Sequence, residues 1–207
     1  VTLNVEKYLQ NCLDSIAKQQ YPNIEVIIMD GKSNDETINI IKRNQHLIST
    51  WRSEKDDGIY NAMNKSLKLI SGEWVYFLGA DDVLLDDFSL MAKMLKSKDS
   101  IYYGSVLREG VKYYGFANAY RFAKNSLCHQ AIIYPSSVFK KYKFDERYKI
   151  SADYVLNMWC WKDKNYKWIF KDYILANFNH TGVSSNPDSE LEKDMLRLIF
   201  NNFGLKI

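Results

Sequence analysis

The strongest constraint on this chain is a handover, made twice, from an apolar run to carboxylates. "IEVIIMD" ends on Asp30, and "WVYFLGADD" ends on Asp81 and Asp82. Near-continuous apolar runs of this length, bounded by turn residues, are strands buried on both faces. Helical stripes separate them. Leu9, Cys12, Leu13, Ile16 and Ala17 share a face within residues 6–18. Residues 36–46 form a second helix with Asp35 placed to cap it, and a short strand follows around Ser49–Arg52. The cleanest period is Ile59, Ala62, Met63, Ser66, Leu67 and Ile70, within 59–70. A helix over about 87–97 and a strand at "SIYYGSVL" continue the alternation. Strand–helix alternation predicts a mostly parallel sheet with right-handed crossovers. Such a sheet gathers ligands beyond the carboxyl ends of its strands, where Asn4, Asp30, Asp81 and Asp82 all fall.

After residue 105 the pattern changes. "GVKYYGF" and "HQAIIYP" read as antiparallel strands and "SADYVLNMWCWKD" as a helix; "YKWIF" and "YILANFNH" are two strands, and 187–202 is a last helix. The 207 residues, 46% of them apolar, suit one domain with a real core. The first half, to about residue 105, would bind a nucleotide, and residues 106–207 would complete the site. "VTLN" reads as the middle of a first strand, so the N-terminus is expected to be truncated. A net charge of +3 gives no nucleic-acid footprint. Cys12, Cys128 and Cys160 are far apart among apolar neighbours, the pattern of buried thiols and not of a disulfide or zinc site. No apolar run approaches membrane-spanning length.

Two adjacent carboxylates at a strand end repel each other, and a cation relieves that cost. All-oxygen ligands select hard ions such as Mg²⁺ or Mn²⁺, which take one or two carboxylates and fill the rest with phosphate oxygens and water. A turn explains Asp86 and Asp87 without a ligand, because both sit at a helix start. The chain has no Gly-x-Gly-x-x-Gly after a strand, no P-loop, no His-x-x-x-His and no Gly-x-Ser-x-Gly. If phosphates bind, a metal at Asp81–Asp82 must neutralise them.

Four segments resemble the family 2 inverting glycosyltransferases of the GT-A fold, of the type that builds bacterial polysaccharide and lipopolysaccharide. They are "VTLN" with "CLDSIAKQQYPNIEVIIMDGKSNDET", then "SEKDDGIYNAMNKSLKLISGEW", "FLGADD", and "CHQAIIYPSSVF" with "FDERYKISADYVL". The resemblance implies an α/β GT-A domain with a Rossmann-like central sheet and a smaller antiparallel acceptor side. It implies Asp82 as direct metal ligand and Asp81 on the ribose or sugar side. Thr2, Asn4 and Asp30 would hold the nucleotide base, with Asp56 and Asn64 supporting. Asp153 would be the general base that takes the acceptor hydroxyl's proton. A carboxylate in a helix's first turn is otherwise explained by the helix dipole, with Ser151 as the cap. His129 is a second acceptor-side residue, and His180 lies where relatives cover the donor. Trp159 reads as core; Trp161 reads equally as core or as a sugar platform. Gly31 departs from relatives that carry a second Asp near the base, and Asp57 from those with Lys.

The implied reaction moves one sugar from a nucleotide-diphospho-sugar, a UDP-sugar above others, to a cell-surface glycan or lipid-linked acceptor. Such an enzyme is expected in the cytoplasm at the inner face of the plasma membrane, with peripheral membrane association. No Gln-x-x-Arg-Trp is present, which argues for single addition. The alternatives are a sugar nucleotidyltransferase, which needs a glycine- and basic-rich loop after the first strand, and a non-catalytic glycan- or nucleotide-binding module. Oligomeric state, donor sugar and linkage are not written in the residues.

Overall fold

A computed structural model of the chain describes residues 1–179 and 187–204. Helix α1 (Leu9–Ala17) precedes strand β1 (Ile27–Asp30), α2 (Thr37–Arg43), β2 (Thr50–Ser53), α3 (Ile59–Ser66) and β3 (Trp74–Tyr76). Then come β4 (Val83–Leu84), α4 (Asp87–Lys93), β5 (Ser100–Arg108), β6 (Val111–Tyr113) and α5 (Ala119–Lys124). A 3₁₀ turn (His129–Ala131) leads into β7 (Ile132–Pro135), α6 (Ser137–Lys141), α7 (Ala152–Lys162), β8 (Lys167–Phe178) and α8 (Ser189–Phe203). The architecture is the expected mixed α/β one.

Parallel pairing is concentrated where the alternation predicted it first. β1 and β2 pair parallel, Ile27 against Thr50 through Asp30 against Ser53. Thr2 bridges in parallel to Asp30, donating its N–H to Met29 O at 2.9 Å and accepting Gly31 N–H at 2.8 Å. β3 departs from the expectation. It runs antiparallel to β7 within a six-stranded sheet ordered β3-β7-β5-β8-β4, with β6 on β5. An apolar run reports burial on both faces and carries no information on partner direction, which is why β3 was legible and its pairing was not. Within that sheet β5 and β8 are parallel. The two strands expected at 167–178 are one. The polar Lys171–Asp172 step that reads as a turn is absorbed in a register shift opposite Gly104.

Helix stripes bury in part: Ala17 and Ile59, expected on them, are exposed, and Tyr60, off its stripe, is buried. Leu9, Cys12 and Leu13 of α1 are buried, as are Ala62 and Met63 of α3. The largest core joins β3, β5, β7 and α7, with Ile101, Ile132, Tyr134, Val155 and Leu156 all essentially inaccessible. A second core packs α1 and α2 on β1. Between β1 and β3 lies a cavity of about 520 Å³, lined by Val26–Ile28, Trp74–Leu78 and Leu13. Among the described residues no helix is long and apolar enough to cross a membrane. The three cysteines are free, with Cys12 and Cys160 buried.

Candidate active site

The carboxyl ends of β1 and β2 hold a closed polar network. Asp30 is buried and accepts from Thr2 Oγ1, Ser33 Oγ, Ser33 N and Ser53 Oγ. Burial alone would raise its carboxyl pKa, but these donors outweigh it and hold the carboxyl below its ordinary value. Asn4, at φ 51°, accepts Asn34 N–H on Oδ1 at 2.9 Å and gives its own N–H to Ser33 Oγ. Thr2, Asn4 and Asp30 therefore shape the loop at 31–35 by holding one another. Asp35 is spent near the start of α2, as expected, accepting Thr37 N–H at 3.0 Å.

The space beside Gly31 is not empty. A Cβ there would lie 2.6 Å from Asp56 Oδ2, so the Asp56 carboxylate occupies the volume that a side chain at 31 would fill. The acidic group missing from position 31 is thus supplied from the loop after β2. Asn64 corrects an expectation. Its amide donates to Phe144 O and Glu146 Oε1, and its Oδ1 accepts Phe144 N–H, all at 2.8–3.0 Å. It clamps residues 144–146 and is not free for a nucleotide; a sequence stripe marks a helix face but not what that face meets.

Beyond β3 the two aspartates separate. Asp82, expected as the direct metal ligand, is fully buried. Its Oδ2 accepts Gly79 N–H at 2.9 Å and Gln130 Nε2–H at 2.7 Å, and its Oδ1 accepts Asn179 N–H at 2.9 Å. Asp81 is the half-buried member of the pair. Burial first, and then the charge of Asp82, raises its carboxyl above the ordinary value. Gln130 Oε1 is buried and has no hydrogen-bond partner among the described residues. No group of three His, Cys, Asp or Glu forms a metal cluster among the described residues. The donor set still fits a hard cation: two carboxylates, one lone pair left on Asp82, an orphaned amide oxygen and a charge with raised proton affinity. A ligand would supply the remaining oxygens.

Gly79 makes this arrangement possible. A Cβ at residue 79 would lie 2.4 Å from Asp82 Oδ2 and 3.0 Å from Asp81 Oδ1. Gly79→Ala should displace both carboxylates. We expect a loss of about 1–3 kcal/mol in thermal unfolding, together with lost activity, whereas unchanged stability and rate would mean the loop has room to spare.

Asp153 lies in the first turn of α7 and is buried. Its Oδ1 accepts Tyr60 O–H at 2.9 Å and Tyr154 N–H at 2.8 Å; Oδ2 lies 3.1 Å from His129 Nδ1. Tyr60 O–H is also 2.7 Å from Ile150 O. Burial and then the Asp153 charge push the Tyr60 pKa well up, so this phenol stays a donor. Ser151 makes no side-chain cap. Asp188 Oδ2 instead accepts Ile150 and Ser151 N–H, while its Oδ1 caps α8.

One turn connects the two acidic centres. His129 points to Asp153 and its neighbour Gln130 to Asp82. Burial, then the charges of Asp153 and Asp82, raise the Cys128 thiol pKa, which puts this turn within reach of both. Tyr60, Gln130 and Asp188 were not singled out from sequence. Tyr60 is off its helix's apolar stripe, and the only sign for Gln130 was its place in "CHQ". Trp161 is a core residue, its ring 4.2 Å from that of Phe122, and Trp159 lies beside Tyr142. His180 lies outside the described residues.

Comparison with known proteins is consistent along the chain. A family model described as glycosyl transferase family 2 matches residues 1–166. A PGL/p-HBAD biosynthesis glycosyltransferase of Mycobacterium bovis is 31% identical over 207 residues, covering 95% of this chain and 80% of that one. An Escherichia coli UDP-Glc:alpha-D-GlcNAc-diphosphoundecaprenol beta-1,3-glucosyltransferase is 25% identical over 203 residues, covering 92% and 79%. In structure, S. aureus TarS in complex with UDP-GlcNAc superposes with a TM-score of 0.75 at 20% identity, covering 98% of this chain; the chain spans 65% of that one. A Pyrobaculum calidifontis mannosyltransferase in complex with GDP-Man and Mn²⁺ has a TM-score of 0.67 at 18% identity, covering 87% and 56%. These last two likenesses concern the fold.

Proposed function

Because the chain belongs to glycosyl transferase family 2, we propose that it transfers one sugar, with inversion, from a nucleotide-diphospho-sugar to a lipid-linked or glycan acceptor. The observation that carries this reading is the turn at 128–130, which joins a metal-type carboxylate pair through Gln130 to a held carboxylate through His129. Relatives whose names include UDP-glucose or a diphosphoundecaprenol acceptor, and a neighbour bound to UDP-GlcNAc, favour a UDP-sugar and a lipid-linked acceptor.

In this reading the network of Thr2, Asn4 and Asp30 shapes the base end of the donor site, and Asp56, over Gly31, supplies a carboxylate there whose Oδ1 accepts Gly58 N–H. Asp82 and Asp81 would hold Mg²⁺ or Mn²⁺ together with the donor's diphosphate. The metal, when bound, neutralises the charge that develops on the departing diphosphate. Asp153 accepts the acceptor hydroxyl's proton. Tyr60 and His129 keep its two oxygens from rotating, so the attacking oxygen meets a fixed acceptor.

The test is direct. The protein is incubated with a panel of nucleotide sugars and Mn²⁺, and free nucleoside diphosphate is followed with and without EDTA. We expect EDTA-sensitive release from one donor, increased by acceptor. Pyrophosphate-dependent triphosphate formation would instead identify a nucleotidyltransferase, and no release from any donor a binding module.

A further inference from the structure

Residues 108–124 carry an unusual surface. Val111, Phe116 and Tyr120 are 69%, 66% and 55% exposed, and Tyr113 is exposed beside them in sequence. The same stretch contains Arg108, Lys112, Arg121 and Lys124 against a single acid, Glu109. That local excess equals the net charge of the whole chain, +3. Cations and rings are paired: Arg108 lies over the Tyr113 ring and Lys124 over the Tyr120 ring. One of the four cations, Lys112, is also paired with Asp172.

The backbone under this surface is fixed. Glu109 and Gly110, both at positive φ, make the two-residue turn between β5 and β6. Tyr103 O–H holds both the N–H and the C=O of Ala117, and Phe122 is buried against Trp161 and Trp168. Rings exposed on a held backbone remain exposed. At the end of the hairpin Tyr114 is partly buried against the main core, as is Cys128 of the turn that carries His129.

We propose that the β5–β6 hairpin and the start of α5 dock on an anionic bilayer surface. Amphipathic rings at the headgroup level and basic side chains facing anionic lipid are the chemistry of that interface. A purely protein partner would not call for the paired rings and cations to be presented together with so little acid. The docking stands on this surface alone. Its use, to bring a lipid-linked acceptor past Tyr114 to Asp153, rests on the transfer reading above.

The test is sedimentation of the full chain with vesicles of phosphatidylcholine alone, or of equal parts phosphatidylcholine and phosphatidylglycerol, without donor or acceptor. Binding to the mixed vesicles only is expected, weakened by salt. Lys112→Gln with Lys124→Gln should lower partitioning at least about fivefold, the share of Lys124, with less from Lys112 because it is already paired with Asp172. Phe116→Ser with Tyr120→Ser should also lower it, with thermal unfolding unchanged because all four side chains are at the surface. No binding by the parent protein, or equal binding by both variants, overturns the proposal. With no substrate present, failure here leaves the transfer reading intact, and absent transfer with intact vesicle binding leaves the docking intact.

Discussion

Replacing Asp153 by asparagine is expected to lower turnover by about 10²–10⁴-fold while donor affinity stays the same. The variant is chosen for its geometry. An asparagine oxygen still accepts from Tyr60 and Tyr154 N, and its amide can face His129 in the other imidazole tautomer, so the three contacts on Asp153 keep partners. What is lost is the capacity to take a proton. Transfer at saturating donor, donor binding by calorimetry, and thermal unfolding separate these effects. Normal transfer by the variant would remove Asp153 from the role of base. Tyr60→Phe, which removes one of the two donors to Oδ1 and leaves Tyr154 N–H and the carboxylate in place, should give a smaller loss.

Neighbouring aspartates should respond to removal with opposite signs. Asp82→Ala removes the buried acceptor of Gln130 Nε2 and the part-buried acceptor of Gly79 N. At about 1 kcal/mol for each of these two donors, that is about 2 kcal/mol, or roughly 4–8 °C in Tm for a chain of this size. Asp81→Asn should do the reverse in metal-free protein. Folding raises the Asp81 pKa, through burial and then the Asp82 charge. Such a group favours the folded state least once it is ionised. The penalty grows as pH rises from the ordinary carboxylate pKa through the raised one, and is complete above it. At neutral pH the neutral amide removes this penalty, so Tm rises. Mn²⁺ with UDP should raise the Tm of the parent protein and do so less for Asp81→Asn. Two destabilised variants, or an unaltered metal response at Asp81, would count against the cation site.

Much of this was legible in the residues, for identifiable reasons. Burial on both faces writes itself as an apolar run, so β1 and β3 could be found, and the acids at their ends could be placed on one edge. Strand direction does not write itself, so the antiparallel β3–β7 pairing could not be read. Asp82 was singled out because paired carboxylates at a strand end carry chemistry, and Asp153 because the family resemblance gave it a role. Tyr60 and Gln130 were missed because their work is defined by partners 93 and 48 residues away. Asn64 was misplaced for the same reason: its three bonds are all to residues about 80 positions on. Gly31 looked like a loss until Asp56 was found in its space.

The reach of α3 bears on recombination. A split near residue 105, where the sequence pattern changes, would separate the proposed donor half from the proposed acceptor half. Yet Tyr60, Asn61 and Asn64 all bond into 144–153, to Ile150, Asp153, Glu146 and Phe144. One short helix of the first half is therefore the jig for the second. An acceptor half exchanged at that point between relatives would arrive without its jig. Working chimeras should need α3 to travel with residues 144–153, so that acceptor preference is inherited from two separated segments and not from one.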